Sequence, residues 1–564
     1  MAFTAQDVQN KLEELSVAGT PFEMKDFTIA GETRRGFASA PADLVQLLQA
    51  GRAHGEQPFI VYEGRRLSFN EFFEAVDQLG TQLRQRYNIK KGDRVAIAMR
   101  NCPQWSIAFV ATVFCGAIAV PLNSWGKTDE LVYGLEDCGA SVLVCDPQRL
   151  VLLVDTELGR TLSTIVAGGD SSYPADNIAD FEQVLADSKG DGFEVAQVSP
   201  DDPAMIMYTS GSTGMPKGTV HLHIGIAQAL MNLYFVGYLT MSMEGPRELR
   251  GGAVQETPLL TVPLFHGTGL LSGLLVPLQM GQKVVLMYKW DSEKALQLIE
   301  AEKITGMTSV PAVLQALFTH PSFDSYDTSS LFRVGAAGAA TPEALPALIE
   351  SKLDKVSRSA GYAMTETMAV GTTMVGEIFD LNPEASGVKS PIADFRFVDS
   401  EGAVLPEGEI GEIQIRCITV CAGYWNRPEA SAEIRDGEWL KTGDLGRFDN
   451  DGFLHITGRI KEIVIRGGEN IYPGEIEHCA YAMEGIQEVV VFGVPDEDMG
   501  EELVLVAYPQ ESSELTEAEI RAQLTAKLAG FKVPRYIEIA ESPLPQNASG
   551  KLFKRKIRDD YLSR

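Results

Sequence analysis

The sequence has few of the residues that build disulfide frameworks and metal centres. Its 564 residues include only seven cysteines and seven histidines, without a C-x-x-C pair or an H-E-x-x-H motif. We therefore expect neither a disulfide scaffold nor a zinc site, and a reducing compartment, the cytoplasm, fits the chain better. His221 and His223 lie two residues apart with no third candidate ligand near them, so we expect a structural or pocket-lining role for them.

Long apolar runs and an excess of positive charge are also missing. No stretch reaches 18 uninterrupted apolar residues, so no membrane-spanning helix is expected. The N-terminus, MAFTAQDVQNKLEELS, is polar and amphipathic, unlike a signal peptide. The formal net charge of -29 argues against nucleic acid or an anionic membrane as a partner, although it permits a local basic pocket for a nucleotide.

Strand and helix patterns alternate over residues 57 to 145. A capping box from Ser68 to Glu71 opens a helix with apolar residues at helical spacing, and the flanking runs FIVYEG, RVAIAM and SVLVCD read as buried strands. This rhythm predicts a parallel sheet with helices on both faces. Further strand ends are predicted at 205–210, 283–287, 305–311 and 332–338, and ligands of such sheets bind at the carboxyl ends of strands.

The pattern changes twice in the last third of the chain. After about residue 385, short strands joined by turns predict a small β-rich subdomain. In the last hundred residues the strands EVVVFGVPDE and ELVLVAYP accompany a helix that begins with a second capping box, Thr516 to Glu519. We interpret this part as a compact α+β domain.

The stretch YTSGSTGMPKG, Tyr208 to Gly218, is typical of a loop that grips phosphate. Glycine frees backbone N–H groups, hydroxyls add donors, and Lys217 adds a point charge. The P-loop pattern G-x-x-x-x-G-K-[ST] fails here, because Pro216 stands where its second glycine belongs and Gly218 where it requires Ser or Thr. The loop is predicted to hold phosphate in another way.

Five further motifs follow in order. They are VPLFHGTG (262–269), VGAAGAAT (334–341), GYAMTET (361–367), KTGDLGRF (441–448) with GRIKEIVIRGGENIYPGEIE (458–477), and PQNASGKLFKRKI (545–557). Together with the glycine-rich loop, from residue 57 to the C-terminus, they resemble the adenylate-forming superfamily of acyl-CoA synthetases, peptide-synthetase adenylation domains and luciferases. Each motif alone is modest, and the resemblance is specific because of their number and order.

The resemblance implies an α/β fold in two domains. Residues 1–460 would form a large N-terminal domain of stacked, mostly parallel sheets with helices and a β-rich subdomain. Residues 461–564 would form a small, mobile α+β C-terminal domain. The implied activity is that of an AMP-forming acid–CoA ligase, with ATP, Mg²⁺ and coenzyme A as its cofactors and co-substrates.

The resemblance also implies a role for particular residues. Lys551, His266, Glu366 and Thr365 would be catalytic. ATP would be bound by Thr209, Ser210, Gly211, Ser212, Thr213, Gly214, Lys217, Gly338, Ala339, Tyr362, Asp444 and Arg459. Glu366 and Thr209 would hold Mg²⁺, a cation that prefers hard oxygen ligands. Lys461 would be the hinge, and Gly467 and Gly468 would line the coenzyme A channel.

Two features of the motifs leave questions for the structure. Ala363 stands where the family usually has glycine, which puts the local backbone conformation in doubt. Lys554, Arg555, Lys556 and Arg558 are interpreted as a solvated basic tail, with contact to coenzyme A phosphates as the alternative.

The acid and the acceptor stay open at this point. The segment HLHIGIAQALMNLYFVGY (221–238) is apolar and aromatic without Asp or Lys, so a fatty or aryl acid fits better than an amino acid. Alternatives to a CoA ligase are an acyl-AMP ligase that loads a carrier protein, a light-emitting oxidase, and a non-enzymatic nucleotide sensor. A homodimer is compatible with the sequence, which does not determine the oligomeric state.

Overall fold

A computed structural model describes residues 3–29, 31–168, 175–188, 192–209, 215–246, 248–336, 344–353, 356–483, 485–510, 513, 515–546 and 552–564. Its N-terminal elements are α1 (Ala5–Ser16), β1 (Met24–Ile29), β2 (Glu32–Phe37), α2 (Leu44–Ala50), β3 (Pro58–Tyr62), β4 (Arg65–Ser68), α3 (Phe69–Gln85), β5 (Arg94–Ala98), α4 (Pro103–Phe114), β6 (Ile118–Pro121), α5 (Thr128–Cys138), β7 (Val142–Cys145), α6 (Pro147–Leu153), α7 (Glu157–Thr161), β8 (Ser163–Val166), β9 (Ile178–Asp180), α8 (Phe181–Ala186) and β10 (Pro203–Tyr208).

The middle of the chain continues this alternation and then becomes richer in strands. Its elements are β11 (Gly218–Leu222), α9 (His223–Glu244), β12 (Pro258–Leu260), α10 (Gly267–Leu270), α11 (Val276–Met280), β13 (Val284–Leu286), α12 (Ser292–Glu302), β14 (Gly306–Ser309), α13 (Pro311–Phe318), β15 (Arg333–Ala336), α14 (Ala344–Lys352), β16 (Ser359–Tyr362), β17 (Thr372–Val375), α15 (Glu377–Leu381), β18 (Val388–Lys389), β19 (Ala393–Val398), β20 (Gly411–Cys417), α16 (Pro428–Glu433), β21 (Arg435–Asp436), β22 (Trp439–Phe448) and β23 (Leu454–Arg459).

The C-terminal part follows a single 3₁₀ turn, Ile460–Glu462. Its elements are β24 (Val464–Arg466), β25 (Glu469–Ile471), α17 (Pro473–Tyr481), β26 (Ile486–Asp496), β27 (Gly500–Pro509), α18 (Glu517–Lys527), β28 (Tyr536–Ile539) and α19 (Lys554–Leu562). The predicted domain boundary between 460 and 461 falls inside this turn.

Both predicted capping boxes form. The Ser68 hydroxyl accepts from the Glu71 N–H at 3.2 Å while the Glu71 carboxylate accepts from the Ser68 N–H at 2.7 Å, and α3 buries its predicted apolar face. Thr516 and Glu519 make the same reciprocal pair at the start of α18. Each box satisfies N–H groups that the first helical turn leaves without intrahelical partners.

Two mostly parallel sheets carry the N-terminal part. One has the strand order β11-β10-β6-β5-β7-β8-β9 and the other β15-β14-β12-β13-β3-β4, with antiparallel pairs only at β10–β11 and β3–β4. The predicted α/β class is confirmed. The expectation that residues 57 to 145 build one sheet is wrong, because β3 pairs with β13, placing Val61 beside Val285.

The two sheets share a core. The largest buried cluster joins α3, α4 and α9 with strands of both sheets, for example Ile97 of β5 and Val284 of β13. Among the described residues, α9 is the one helix whose length and composition would allow it to cross a membrane. Of its most apolar 18-residue stretch, 61% is buried inside the protein. In this fold α9 is a core helix between the layers.

Two five-stranded, antiparallel-rich sheets follow, in addition to the three-stranded sheet β16-β17-β18. The first has the order β19-β20-β22-β21 with β23 beside β22, which is the predicted β-rich subdomain. The second has the order β25-β24-β27-β26 with β28 parallel to β27, and α17, α18 and α19 pack against it. This matches the α+β pattern predicted for the last hundred residues.

Candidate active site

The segment Thr209 to Lys217, predicted to bind phosphate and named the phosphate-grip loop, connects two antiparallel strands. β10 ends at Tyr208 and β11 begins at Gly218. The Thr209 N–H donates to the Lys217 carbonyl at 3.0 Å, and the Lys217 N–H donates to the Thr209 hydroxyl at 3.3 Å, closing the base of the loop. A strand therefore follows Lys217, whereas a P-loop leads into a helix whose N-terminus faces the phosphates.

Gly218 explains one mismatch with the P-loop. A Cβ at this position would lie 2.6 Å from the Ile206 side chain and 3.3 Å from the Tyr208 ring. The Ser or Thr that a P-loop requires would collide with β10, so the close pairing of β10 with β11 requires glycine here. On the other side of the loop, the Tyr133 hydroxyl donates to the Pro216 carbonyl at 3.0 Å. Ser210, Gly211, Ser212, Thr213 and Gly214 lie outside the described residues.

Glu366 is held by a segment that pairs with β11. The Cys421 N–H donates to the Glu366 carbonyl at 2.7 Å, and the Tyr424 hydroxyl donates to the Glu366 carboxylate at 2.8 Å. Burial and the neighbouring Glu366 charge raise the pKa of Tyr424 far above its usual range, so its hydroxyl remains a donor. The Tyr424 ring also lies 5.0 Å from Lys217 Nζ, which links the phosphate loop to the carboxylate.

The Glu366 carboxylate suits a bound cation. Glu366 is only 8% exposed, and its carboxylate forms no ion pair among the described residues. A buried carboxylate without a positive partner is costly, and a divalent cation would offset its charge. Met368 and Ala369, just after it, have φ of 51° and 58°, a conformation that non-glycine residues adopt mainly at constrained sites.

The predicted nucleoside residues meet on two strands. Asp444 of β22 pairs directly with Arg459 of β23, and the two side chains form an ion pair in which Arg459 Nε lies 2.8 Å from Asp444 Oδ1. The Tyr362 hydroxyl donates to the other carboxylate oxygen at 2.7 Å. Burial and the Asp444 charge raise the pKa of Tyr362 well above its usual range. Each Asp444 oxygen keeps a second lone pair for a ribose hydroxyl.

The backbone around Ala363 is ordinary. Ala363 does not appear among the described non-glycine residues with positive φ. Its substitution for glycine therefore introduces no strain, and the doubt raised by the sequence is removed. Gly371 is the constrained neighbour instead, because a Cβ there would lie 2.2 Å from the Tyr362 carbonyl oxygen.

His266 packs against an aromatic neighbour at the start of α10. It precedes α10, and its ring centroid is 4.4 Å from that of Phe265, which in turn packs edge-to-face on Trp125 at 5.4 Å. A π-helical turn, Leu271–Leu275, separates α10 from α11. Such turns recur at functional segments of helices.

The predicted hinge turn, Ile460–Glu462, is linked to the last helix by an ion pair. Lys554 Nζ lies 2.7 Å from the Glu462 carboxylate and 2.9 Å from that of Glu477. Burial alone would lower the pKa of Lys554, but the charges of Glu477 and Glu462 outweigh it and raise the pKa. The interpretation of Lys554 as a solvated tail residue is wrong, since its side chain is 23% exposed. Lys556, by contrast, is half exposed and pairs with Asp560.

One cavity of about 3540 Å³ collects these side chains. Its lining includes the predicted residues Thr209, Lys217, His266, Tyr362, Thr365, Glu366, Arg459 and Lys461. Asp444 does not itself line the cavity, but it contacts Tyr362 and Arg459, which do. Of the described residues, Gly467 and Gly468 do not line it; they form the turn between β24 and β25. Gly338, Ala339 and Lys551 lie outside the described part of the chain.

The apolar segment 221–238, from which the class of acid was predicted, lines the cavity only in part. α9 contributes residues from Met231 onward, whereas its first turns are buried in the core. Met307 to Val310, Gly335 and Ala336 also line the cavity. Sequence reasoning missed Tyr424 and Tyr133, which lie outside the motifs. It also missed the Lys554 partners Glu462 and Glu477, which lie within the motif 458–477 but carry no signal of their pairing with Lys554.

The remaining titratable candidates are buried. All seven cysteines are free thiols, six of them buried. His221 and His223 are 1% and 0% exposed, and the His221 ring lies 3.1 Å from the Thr219 hydroxyl. Within the described ranges, no group of three or more His, Cys, Asp or Glu side chains is arranged to hold a metal ion.

Known proteins are similar to this chain in sequence and in fold. The family profile of AMP-binding enzymes matches residues 47–425, and that of the AMP-binding enzyme C-terminal domain matches residues 475–551. A feruloyl-CoA synthase from Amycolatopsis is 34% identical over 498 residues, covering 88% of this chain and 94% of that protein. A long-chain-fatty-acid–CoA ligase from Bacillus subtilis is 31% identical over 530 residues, covering 89% and 91%.

A solved structure of a CoA ligase is similar in fold to this chain. The anthranilate CoA ligase AuaEII in complex with anthranoyl-AMP superposes with a TM-score of 0.81 at 26% identity, covering 92% of this chain and 97% of that one. The chain belongs to the AMP-binding enzyme family, among its adenylate-forming acyl-CoA ligases.

Proposed function

We propose that the protein joins a carboxylic acid to coenzyme A through an acyl-adenylate. A carboxylate oxygen attacks the α-phosphorus of ATP, the bond to pyrophosphate breaks, and the acyl-adenylate forms. The deprotonated thiol of coenzyme A then attacks the carbonyl carbon, and AMP leaves. The observation that supports this best is the shared cavity, in which nucleoside, phosphate and acid groups line one space.

Each step needs charge placed where it develops. Lys217 and the loop that begins at Thr209 would hold the β- and γ-phosphates, so that pyrophosphate leaves as a neutralised group. The Thr365 hydroxyl would donate to the α-phosphate, and His266 would orient the acid carboxylate. Tyr362, with Asp444 and Arg459, would position the adenosine.

Mg²⁺ fits the carboxylate of Glu366, with the Thr209 hydroxyl as a second oxygen ligand. The support is the buried carboxylate without a described ion-pair partner. When bound, the ion would supply positive charge to the phosphate oxygens during transfer. Tyr424 would keep the Glu366 carboxylate oriented through its hydrogen bond.

We assign Lys551 to the first step only. The residues that flank it on the chain, Gln546 and Leu552, pair with each other and both line the cavity. Gly467 and Gly468, the proposed channel glycines, lie elsewhere in this arrangement. Rotation of residues 461–564 about the turn at Lys461 would move the Lys551 segment out of the cavity and bring Gly467 and Gly468 into it, as in other hinged enzymes.

The half-reactions test this assignment. Lys551→Ala should abolish adenylate formation, followed as acid-dependent ATP–pyrophosphate exchange, yet retain thioester formation from a supplied acyl-adenylate. Lys556→Ala, five residues further along and paired with Asp560, is the control and should alter neither step. Equal loss of both half-reactions in Lys551→Ala would refute the assignment.

Coenzyme A is the acceptor we favour over a carrier protein. The relatives described above are CoA ligases by name. Offering coenzyme A and a phosphopantetheinylated carrier protein to the preformed adenylate decides between them. A cytoplasmic location is compatible with the seven free thiols, because disulfides are rare in reducing compartments.

A further inference from the structure

One face of helix α5 lies against both ends of the phosphate-grip loop. Tyr133 and Asp137 are four residues apart, a spacing that places both on the same side of a helix. The Tyr208 hydroxyl, immediately before the loop, donates to Asp137 Oδ2 at 2.8 Å. The Tyr133 hydroxyl donates to the carbonyl of Pro216, near the end of the loop, at 3.0 Å. The two ends of the loop are therefore bonded to one helix face.

Arg427 joins these two contacts. Its Nη2 donates to Asp137 Oδ1 at 2.6 Å and to the Tyr133 hydroxyl at 3.4 Å. Each Asp137 carboxylate oxygen thus accepts from a different residue. The Tyr133 hydroxyl accepts from Arg427 and still donates to the loop, since a phenol can do both. Tyr133, Asp137 and Arg427 together form the α5 clamp.

The chain fixes Arg427 relative to the strand that leaves the loop. Residues 421–425 pair with β11, and the Trp425 N–H donates to the carbonyl of Gly218, the first residue of β11, at 2.7 Å. Asn426 then has a φ of 51°, and Arg427 is the N-cap residue of α16. The backbone that carries the guanidinium is thus held by the strand on which the loop ends.

The charged pair of the α5 clamp acts from outside the cavity. Tyr208 and Tyr133 line the cavity, whereas Asp137 and Arg427 do not. The Asp137 side chain is only 6% exposed, so loss of its cation would leave a buried charge unpaired. Burial, with Cys138 and Asp137 beside it, raises the pKa of Tyr208 far above its usual range. The Tyr208 hydroxyl therefore remains a donor to Asp137.

We propose that the α5 clamp positions the phosphate-grip loop for the β- and γ-phosphates of ATP, which makes Asp137 and Arg427 positioning residues for adenylate formation. A loop whose ends are fixed loses less conformational freedom when it closes on a ligand. The coupling runs through hydrogen bonds to the loop ends and involves no contact with ATP. AMP lacks these two phosphates, so its binding should not depend on the clamp. The inference rests on the proposed ligase function and adds residues outside the cavity to its first step.

Nucleotide binding without the acid tests the inference. The Kd values for ATP with Mg²⁺ and for AMP are measured by isothermal titration calorimetry, and their ratio reports what the β- and γ-phosphates contribute. Arg427→Met should weaken ATP binding about fivefold or more, as for one lost hydrogen bond between charged groups, and leave AMP binding unchanged. Equal weakening of both nucleotides, as from general damage to the fold, would overturn the inference, and so would an unchanged ratio.

Two further arginine variants locate the effect. Arg427 contacts Asp137 through one nitrogen, so Arg427→Lys keeps a suitable cation and should retain most of the wild-type ratio. Arg86→Met is the matched control, because Arg86 is also 44% exposed and pairs with an aspartate, Asp187, without lining the cavity. It should keep the wild-type ratio. An equal loss in Arg86→Met and Arg427→Met would contradict a specific role for the clamp.

The half-reactions separate this inference from the proposed function. In Arg427→Met and in Tyr208→Phe, the KM for ATP in acid-dependent ATP–pyrophosphate exchange should rise, while thioester formation from a supplied acyl-adenylate should be unchanged. If Arg427→Met fails to fold, Tyr208→Phe alone decides. Absence of exchange in the wild type with every acid would refute the proposed function itself. Exchange with an unaltered KM for ATP in the variants would refute only this inference.

Discussion

The Tyr424 hydroxyl donates a 2.8 Å hydrogen bond to the buried carboxylate of Glu366. The same ring lies 5.0 Å from Lys217 Nζ. One tyrosine therefore contacts both the cation of the phosphate-grip loop and the carboxylate proposed to hold Mg²⁺. Its position follows from the pairing of residues 421–425 with β11, through bonds such as Val220 N–H to the Gly423 carbonyl at 2.9 Å.

Tyr424→Phe should slow adenylate formation. The variant keeps the ring beside Lys217 but removes one hydrogen bond to a charged carboxylate, which contributes about 1.5–3 kcal/mol, or roughly a 10- to 100-fold effect. ATP–pyrophosphate exchange at varied Mg²⁺ concentration measures it. Tyr326→Phe is the control, since its hydroxyl donates to Glu293 at 3.2 Å on the exposed surface. Equal activity of the two variants would contradict a role for Tyr424.

Lys554→Met should disturb the arrangement of the C-terminal part. The substitution removes the charge between Glu462 of the hinge turn and Glu477 of α17, leaving two carboxylates facing each other. Breaking a partly buried pair in this way costs about 3 kcal/mol. We expect adenylate formation to fall about tenfold or more and tryptic cleavage beside the hinge turn to speed up.

Lys556→Met gives the matched comparison for this variant. It lies on the same helix and loses only an exposed pair with Asp560, worth about 0.5 kcal/mol or less. In single-turnover assays its rate of adenylate formation should equal that of wild type, and trypsin should cleave it beside the hinge turn no faster. If the two methionine variants behave alike, the Lys554 contacts do not hold the hinge.

Buried histidines should make the protein sensitive to acid. Burial lowers the pKa of His221 to about 4, and burial, opposed by the charges of Asp43 and Asp202, lowers that of His223 to about 4. The unfolded chain binds these protons near pH 6.5, so the stability that neutral histidine contributes is present above pH 6.5 and lost as pH falls toward 4.

His223→Leu isolates one of these groups. Relative to wild type, the variant should gain about 2–3 kcal/mol of unfolding free energy between pH 7 and pH 4, from a shift of about 2.5 pKa units. Denaturant unfolding at a series of pH values measures the difference. His478→Leu, at an exposed position on α17, should show no such trend. A pH-independent difference for His223→Leu would contradict its burial as a neutral ring.

Local signals in the sequence predicted much of the fold. The capping boxes at Ser68 and Thr516 and the strand exits before the site depend on neighbours a few residues away, and they form as expected. The pairing of β3 with β13 joins residues more than two hundred positions apart, as Val61 beside Val285 shows. Periodicity fixes a strand but carries no information about which distant strand it joins.

The same limit applies to the site. Asp444 and Arg459 were predictable because they belong to motifs and end as partners on adjacent strands. Tyr424 carries no local signal, since an isolated tyrosine in a sequence is compatible with either surface or core. Only the fold brings Tyr424 to Glu366.

The fate of the acid oxygen tests the central claim most directly. The protein is supplied with ATP, coenzyme A and an acid labelled with ¹⁸O at both carboxyl oxygens. The ¹⁸O content of AMP and pyrophosphate is then measured by mass spectrometry. Attack on the α-phosphorus followed by thiol transfer leaves one ¹⁸O in AMP and none in pyrophosphate. Label in pyrophosphate or orthophosphate, or unlabelled AMP formed alongside the thioester, would contradict an acyl-adenylate.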